Sequence, residues 1–484
     1  MSHPPGPRGR EVLGFFGRGR FPHTLAFLED TAQKYGPLAY FRLLHQPTFL
    51  VTGSEFIKEV LVVQQRNFGR DFSAAILREL VGDGVITREE PLHRERRRIL
   101  QPAFHREQIA SYVTVMASEA AATANEWIRL AASGGLTVDI GAAMRATTLS
   151  IIGRLLFGDE FRSSANQISD VLGRVVKRAR RIVPFAMMLK VVTRRYRQML
   201  PRGPSLYFRE HRAELDRILQ PLIQHRQKQM GRDVLSLLLA LQDDGEGSLA
   251  SEDIRNEMVT FVLAGHETTA TALTWTFYLL AKHRNYQEQT AKEIEQVCGD
   301  RMPQADDLAS LPFTAALFQE TLRLYPPVPL YGRRVLEDAS LDGHKIPRGA
   351  TVLLSPYITQ RSEASFPNAE QFDPTRWLDA PPASRFAFFP FGGGAKMCIG
   401  DVFAKTEGVV ILASLLQKFR FELASDLPVE VDPGVTLKPR NPILLEIKTR
   451  ASYPALPSLA RDFDHSGSLG SIIPGLLRTD SEPR

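Results

Sequence analysis

Phe391-Gly392-Gly393-Gly394-Ala395-Lys396-Met397-Cys398-Ile399-Gly400 is the stretch on which the reading of this 484-residue chain turns. It places one cysteine after a glycine-rich bend and ahead of an apolar segment, from about Ile399 to Lys418, with helical spacing. Glycines let backbone approach a large flat ligand closely. A helix N-terminus lowers a thiol's pKa, so the metal-binding thiolate is expected to prevail at Cys398. Backbone N–H groups after Cys398 are then placed to bond its sulfur and tune a bound metal. Taken alone, a cysteine is more often a small buried hydrophobe. Cys298, beside Gly299 and Asp300 in an expected loop, is read that way.

Outward from this loop, composition narrows the class. Hydrophobic residues make up 43% and charged residues 24%, enough to bury a large core and far from a disordered composition. Sixty Lys+Arg against 54 Asp+Glu leave +6, too small a surplus to argue for nucleic acid as a partner. Two cysteines exclude a disulfide framework and any zinc site built from several thiolates. Met1 to Arg8 has no apolar signal-peptide core, and no later stretch reaches the ~20 apolar residues of a membrane span. A soluble, cytoplasmic protein is expected, with surface-lying membrane contact still allowed.

Helical periodicity dominates from about Thr24 to Tyr325. Tyr40 to Leu43 and Thr48 to Thr52 read as a small hairpin or sheet edge. Pro326, Pro327 and Pro329 stop the last helix, and Asp342-Gly343 marks a hairpin before a strand from Ala350 to Leu354. A Pro/Phe-rich loop follows from Phe366 to Phe391, and short strands close the chain near Ile447. The pattern predicts a mainly α fold with a smaller β part, α+β, in one domain over residues 1–450. Residues 451–484, rich in Ser, Pro, Gly and Asp, read as a poorly ordered tail.

Two common motifs fail. His266-Glu267-Thr268-Thr269-Ala270 begins like a zinc-protease helix, but Ala270 replaces the second histidine. Gly392-Gly393-Gly394 lacks the Lys-Ser/Thr of a phosphate loop and the spacing of a dinucleotide fingerprint. Three other segments are more informative. Glu320-Thr321-Leu322-Arg323 puts an acid and a base three apart on one helix face, and Phe372-Asp373-Pro374-Thr375-Arg376-Trp377 offers a second arginine. Ala264-Gly265-His266-Glu267-Thr268-Thr269 lies inside a long helix from about Glu252 to Lys282, with Ser251 as N-cap. A mid-helix glycine among threonines is poor helix chemistry, and threonine hydroxyls bend helices by bonding their own carbonyls. His93-Arg94-Glu95-Arg96-Arg97-Arg98 sets His93 and Arg97 one turn apart.

In this order, with the Cys398 loop, these segments resemble the cytochrome P450 family over nearly the whole chain to about residue 450. The resemblance implies the P450 fold, with haem b between the long helix and the helix after the cysteine loop. It implies that Cys398 is the axial iron ligand and that Phe391, Lys396, Gly400 and Ala264 lie against the haem. His93, Arg97 and Arg333 then match propionate-binding positions, with His93 where tryptophan is more usual. Lys396 stands where arginine is usual, keeping the charge but losing the two-pronged fork. Glu320, Arg323 and Arg376 match a buried structural lock. Thr268 would position protons for bound dioxygen, and Glu267 would link that site to solvent, an acid–alcohol pair suited to proton delivery. Phe72, Ile76, Leu77, Phe261, Ala264, Val328 and Leu330 would line an apolar substrate pocket.

Thiolate ligation favours O–O cleavage and attack on unactivated C–H bonds, so the resemblance implies a monooxygenase that hydroxylates or epoxidises a hydrophobic substrate with O2. The chain carries no flavin, nicotinamide or iron–sulfur motif. Electrons from NAD(P)H are therefore expected through a ferredoxin and its reductase, or a flavodoxin-type donor, with Lys405 and Arg94 as docking charges. Between Arg174 and Arg232, sixteen Lys/Arg face three acids. That basic surface suits a carboxylate-bearing substrate or peripheral contact with anionic lipid, which places fatty acids ahead of terpenoids and polyketides. A solvated set of helix faces explains it too. Two other functions fit the same residues: a hydroperoxide-using peroxygenase or isomerase, and a haem-binding or electron-carrier protein.

Overall fold

The computed structural model describes all residues except 1–2, 13–20, 44, 133–134, 176, 179–201, 232, 242–248, 380–383, 451–476 and 480–484. The main helices are α1 (Phe21–Tyr35), α2 (Phe72–Val81), α3 (Leu92–Leu100), α4 (Arg106–Ala131) and α5 (Ile140–Phe157). They continue with α6 (Arg202–Lys228), α7 (Ser251–Lys282), α8 (Arg284–Cys298), α9 (Pro312–Leu324) and α10 (Asp401–Leu416). The α+β expectation is met. Cys298 ends α8 instead of lying in a loop, and it is buried, as its inert reading requires.

The predicted early hairpin is β1 (Leu38–Leu43) against β2 (Gln46–Val51), antiparallel, with Tyr40 opposite Phe49. β3 (Phe68–Arg70) and β4 (Leu136–Asp139) follow among the helices. β5 (Tyr331–Val335) precedes a tight hairpin of β6 (Ala339–Leu341) and β7 (His344–Ile346). Its turn residues Asp342 and Gly343 both take positive φ, 48° and 72°, as an Asp-Gly two-residue turn demands. β8 (Thr351–Leu354) pairs parallel with β2 and antiparallel with β5, giving a five-stranded sheet ordered β1-β2-β8-β5-β3. β9 (Phe419–Leu423), the hairpin β10 (Val431–Pro433) and β11 (Leu437–Pro439), and β12 (Leu444–Thr449) follow α10. β13 (Leu477–Thr479) adds to the edge of β4 in a second sheet ordered β13-β4-β12-β9. The rest of the expected tail lies outside the described residues.

The helical core is organised around α7. Trp275, Phe277 and Leu280 on it have no solvent exposure. Its N-cap is Ala250, one residue before the expected Ser251, and Asp253 Oδ2 accepts the Ala250 N–H at 3.3 Å. Gly265 has a packing reason: a Cβ there would come within 3.0 Å of Ile152, so glycine lets α5 approach α7. That contact offsets the ~1 kcal/mol that glycine costs mid-helix. The threonines behave as helix chemistry dictates, with Thr268 Oγ1 donating to Ala264 O at 2.8 Å and Thr271 Oγ1 to Glu267 O at 2.8 Å. Of the described helices, α5 alone is long and apolar enough to cross a membrane, and it is buried in this core.

Glu320 and Arg323 on α9 form the expected lock and are fully buried. Arg323 holds both carboxylate oxygens of Glu320 at 2.8 Å and donates onward to the carbonyls of Gln360, Ala369 and Gln371. Arg376 Nε reaches Glu320 at 3.1 Å. Two donors the spacing did not reveal complete it, Trp377 Nε1 at 2.8 Å and the Asp373 N–H at 3.0 Å. Glu320→Gln leaves Arg323 charged and underpaired in the core, so it should lower unfolding free energy by about 3–5 kcal/mol, measured by chemical denaturation.

Glu407 on α10 is the opposite case. It is fully buried beside Thr269 of α7, and neither carboxyl oxygen has a hydrogen-bond partner among the described residues. Burial pushes its carboxyl up to about 8, against a smaller pull from Thr269. The folded chain therefore keeps a proton that the unfolded chain loses from about 4.5 upward, and stability falls as pH rises from there to about 8. Glu407→Gln removes that loss. Its stability relative to the parent should rise across this window, by roughly 3 kcal/mol at pH 7, measured by denaturation at several pH values.

Candidate active site

The cysteine loop is shaped before it holds anything. Gly392 and Gly394 take φ of 71° and 67°, a region that disfavours side chains. A Cβ on Gly394 would lie 1.7 Å from the Leu61 carbonyl, so this glycine serves contact with neighbouring backbone and not with a ligand. The Cys398 N–H donates to Phe391 O at 3.0 Å, closing the loop, and Lys405 Nζ sits 5.2 Å from the Phe391 ring centre. Gly400 caps α10, and its N–H points to the Cys398 sulfur. The thiol nevertheless titrates above its ordinary value. Burial raises it, Asp401 adds to the rise, and Gly400 N–H, Arg97 and Lys405 recover only part. The Cys398 side chain is nonetheless exposed, so its sulfur is open to a ligand, and Gly400 N–H, Arg97 and Lys405 are the groups that favour its thiolate.

α7 faces this region with one open stretch. From Ile254 to Leu280 its residues are buried except Leu263, Ala264, Gly265 and Thr268, which are partly exposed, with Ala264 and Thr268 one turn apart on the same face. Phe104 bridges the two elements, with its ring 5.2 Å from that of Phe261 and its edge against Gly400. Glu267 does not share the Thr268 face. Its carboxylate is buried and ion-paired to Lys438 of β11. The expected acid–alcohol pair is adjacent in sequence and divergent in space.

A positively charged rim completes the site. Arg97 NH1 donates to Met397 O in the cysteine loop. Lys396 Nζ donates to Phe68 O at 3.0 Å, with Glu89 at 3.6 Å. Arg333 on β5 donates to Gly332 O at 2.9 Å. Among the described residues neither Arg97 nor Arg333 has an ion-pair partner. His93 is buried with Nδ1 3.1 Å from Glu90, and burial together with the Arg70 charge lowers its pKa, so it stays neutral at pH 7. Arg70, which the sequence did not single out, lies opposite Arg333 on β3 and donates to Arg88 O and Val85 O at 2.8 and 2.9 Å. Half-buried cations without carboxylates call for an anionic group, and paired propionates on a flat macrocycle meet that need.

Ile76 and Phe261 are buried in the helical core, with Phe72 and Leu77 packed against it, so these four expected pocket residues fall in one region. Val328 is partly exposed. Leu330 departs from expectation, packing instead with Leu28, Phe41 and Leu50 beside the five-stranded sheet. In the basic stretch, 179–201 and 232 lie outside the described residues. Elsewhere in it arginines are paired: Arg174 with Glu214 at 2.6 Å, Arg212 with Glu252 at 3.1 Å, and Arg226 with Glu160 at 2.7 Å and with Asp233.

A family model described as Cytochrome P450 matches residues 4–446. Cyclooctatin synthase of Streptomyces melanosporofaciens is 34% identical over 84% of this chain and 86% of its own. Pentalenene oxygenase of Streptomyces avermitilis is 32% identical, covering 78% and 82%. Cyclooctat-9-en-7-ol 5-monooxygenase of Streptomyces melanosporofaciens is 32% identical over 86% and 88%. With an α+β architecture, a cysteine loop and a lock in the places that its motifs predicted, the chain belongs to the cytochrome P450 family and is a haem- and O2-using monooxygenase.

Proposed function

We propose that residues 1–450 form the haem domain of a cytoplasmic monooxygenase, with Cys398 as the residue that would hold the haem iron through its sulfur and Thr268 as the hydroxyl that would handle protons. The observation that supports this reading is the position of Cys398 just before α10, with Phe104 bridging Gly400 and Phe261 of α7 two residues before its partly exposed stretch. When bound, haem supplies activation of O2 and the power to attack a C–H or C=C bond. The protein's residues do the rest. Gly400 N–H, Arg97 and Lys405 would stabilise the Cys398 sulfur as a thiolate able to hold the iron. Arg97, Arg333 and Lys396 take the propionates, with neutral His93 as a further hydrogen-bonding group. Ala264 and Gly265 leave room on the α7 face, and Thr268, held by Ala264 O, keeps its oxygen lone pairs available to a proton donor.

The substrate is hydrophobic, since Phe72, Ile76, Leu77 and Phe261 supply an apolar wall. Two considerations now put a terpenoid ahead of a fatty acid. Relatives are named for pentalenene and cyclooctat-9-en-7-ol, and the pairing of Arg174 and Arg212 leaves less free charge for a substrate carboxylate. Electrons come from NAD(P)H through a ferredoxin and its reductase or a flavodoxin-type donor, docking where Arg94 and Lys405 present exposed charge. The divergence of Glu267 from Thr268 favours one second reading, a peroxygenase or isomerase that needs no external electrons.

With haem reduced and carbon monoxide added, the holoprotein should show the strongly red-shifted Soret band of thiolate ligation, and Cys398→Ala should lose it. A histidine-type band in the parent protein would remove Cys398 from this role. Thr268→Ala should divert roughly 10-fold or more of turnover from product to peroxide when ferredoxin supplies electrons and pentalenene serves as probe. Equal turnover of hydroperoxide by the parent and Thr268→Ala, with none from O2, would select the peroxygenase reading.

A further inference from the structure

Glu257 of α7 is a buried acid for which the site described above has no use. It has no solvent exposure, yet it shares a helix face with that site, since steps of four, three and four residues lead from Glu257 through Phe261 and Ala264 to Thr268. Against this face, one turn ahead of Ala264, lies the turn 82–88. It joins α2, which carries Phe72, Ile76 and Leu77, to α3, which carries His93 and Arg97.

Two glycines let the turn rest directly on the helix. A Cβ on Gly82 would come within 2.1 Å of Asn256 Oδ1, and one on Gly84 within 2.8 Å of Thr260 Oγ1. The Val85 N–H then donates to both carboxylate oxygens of Glu257, at 3.0 and 3.1 Å. Charges from two sides hold the contact. Arg96 of α3 is buried, with Nε 3.6 Å from Glu257 and Nη2 2.6 Å from Asp253. Arg88 of the turn donates to the same Asp253 oxygen at 2.7 Å and to Asp83 O at 2.8 Å. On the α6 side, Asp216 and Arg212 are taken up by Arg255 and Glu252. Arg96, Arg88 and Asp253 are thus the charged groups that act on Glu257.

These forces nearly balance. Burial raises the Glu257 carboxyl and Asp253 adds to the rise, while the Val85 N–H, Arg96 and Arg88 oppose it, leaving it at about 7. Above that pH a carboxylate pairs with Arg96 and takes the Val85 N–H on either oxygen. Below it the acid is neutral, and Arg96 keeps only Asp253. Val85 is what the contact places. It is buried in the same core as Ile76, Leu80 and Phe261, so a shift of Val85 shifts the apolar wall beside the open face of α7.

We propose that Glu257 is a positioning residue for ligand size: by holding Val85 and the turn 82–88 against α7, it sets an end wall beside the face of Ala264 and Thr268. Protonation of Glu257 releases that wall. The inference rests on the haem reading above.

Two ligands of ferrous haem that do not ionise test it in the holoenzyme, carbon monoxide as the small probe and tert-butyl isocyanide as the bulky one. In the parent, the association rate of tert-butyl isocyanide should rise about fivefold or more as pH falls from about 8 to about 6, because bonds to a charged acceptor are lost. Carbon monoxide, too small to meet the wall, should show no such step. Glu257→Gln should bind tert-butyl isocyanide at the fast rate across the whole range. Arg88→Gln serves as a second variant should Glu257→Gln fail to give the carbon monoxide band of the folded holoenzyme. It should bind the bulky ligand faster than the parent, with its step moved to higher pH because Arg88 no longer opposes burial. A flat parent profile, a step that survives in Glu257→Gln, or an equal step with carbon monoxide overturns the proposal. If the thiolate band is present and tert-butyl isocyanide fails these tests, this inference alone falls. If the carbon monoxide band shows no thiolate ligation, the haem reading falls and takes the inference with it.

Discussion

A carboxylate with no solvent exposure stays ionised only where cations and N–H donors replace its water, and Glu320 gathers four such groups from one helix and one loop. Because Arg323 spends its remaining N–H groups on the carbonyls of Gln360, Ala369 and Gln371, the lock also fixes the path of the irregular chain that follows. That chain has little regular structure of its own, yet it must deliver Phe391 to Gly400 in one geometry. The cysteine loop is precise because a buried ion pair about seventy residues upstream fixes the chain that leads to it.

On α7, packing and chemistry share residues without conflict. Gly265 is explained by Ile152, and the threonines by the carbonyls they bond. Gly265 lets α5 pack close, while Ala264 and Thr268 stay partly exposed on another side of α7. A helix interior that is costly in isolation becomes the least costly way to leave space inside a dense core.

What the sequence made legible was local. Glu320 and Arg323 are three apart, the Asp342-Gly343 turn is two residues, and the glycine–cysteine spacing of the loop lies within ten. Each carries its physics in its own spacing. The partners of Glu267 were illegible, because Lys438 lies far along the chain in a strand with no motif. Arg70 was missed because its neighbours come from β5 and from the irregular chain of residues 85–89, which carries no motif.

The parallel pairing of β2 with β8 has a consequence for how the chain is made. Thr48 meets Thr351, so about 300 residues must leave the ribosome before the first hairpin finds its sheet. At about 5–20 residues per second that is a wait of roughly 15–60 s. During it, apolar Phe49, Leu50 and Val51 present an unpaired strand edge, and the nascent chain depends on chaperones or transient helical cover until its last third emerges.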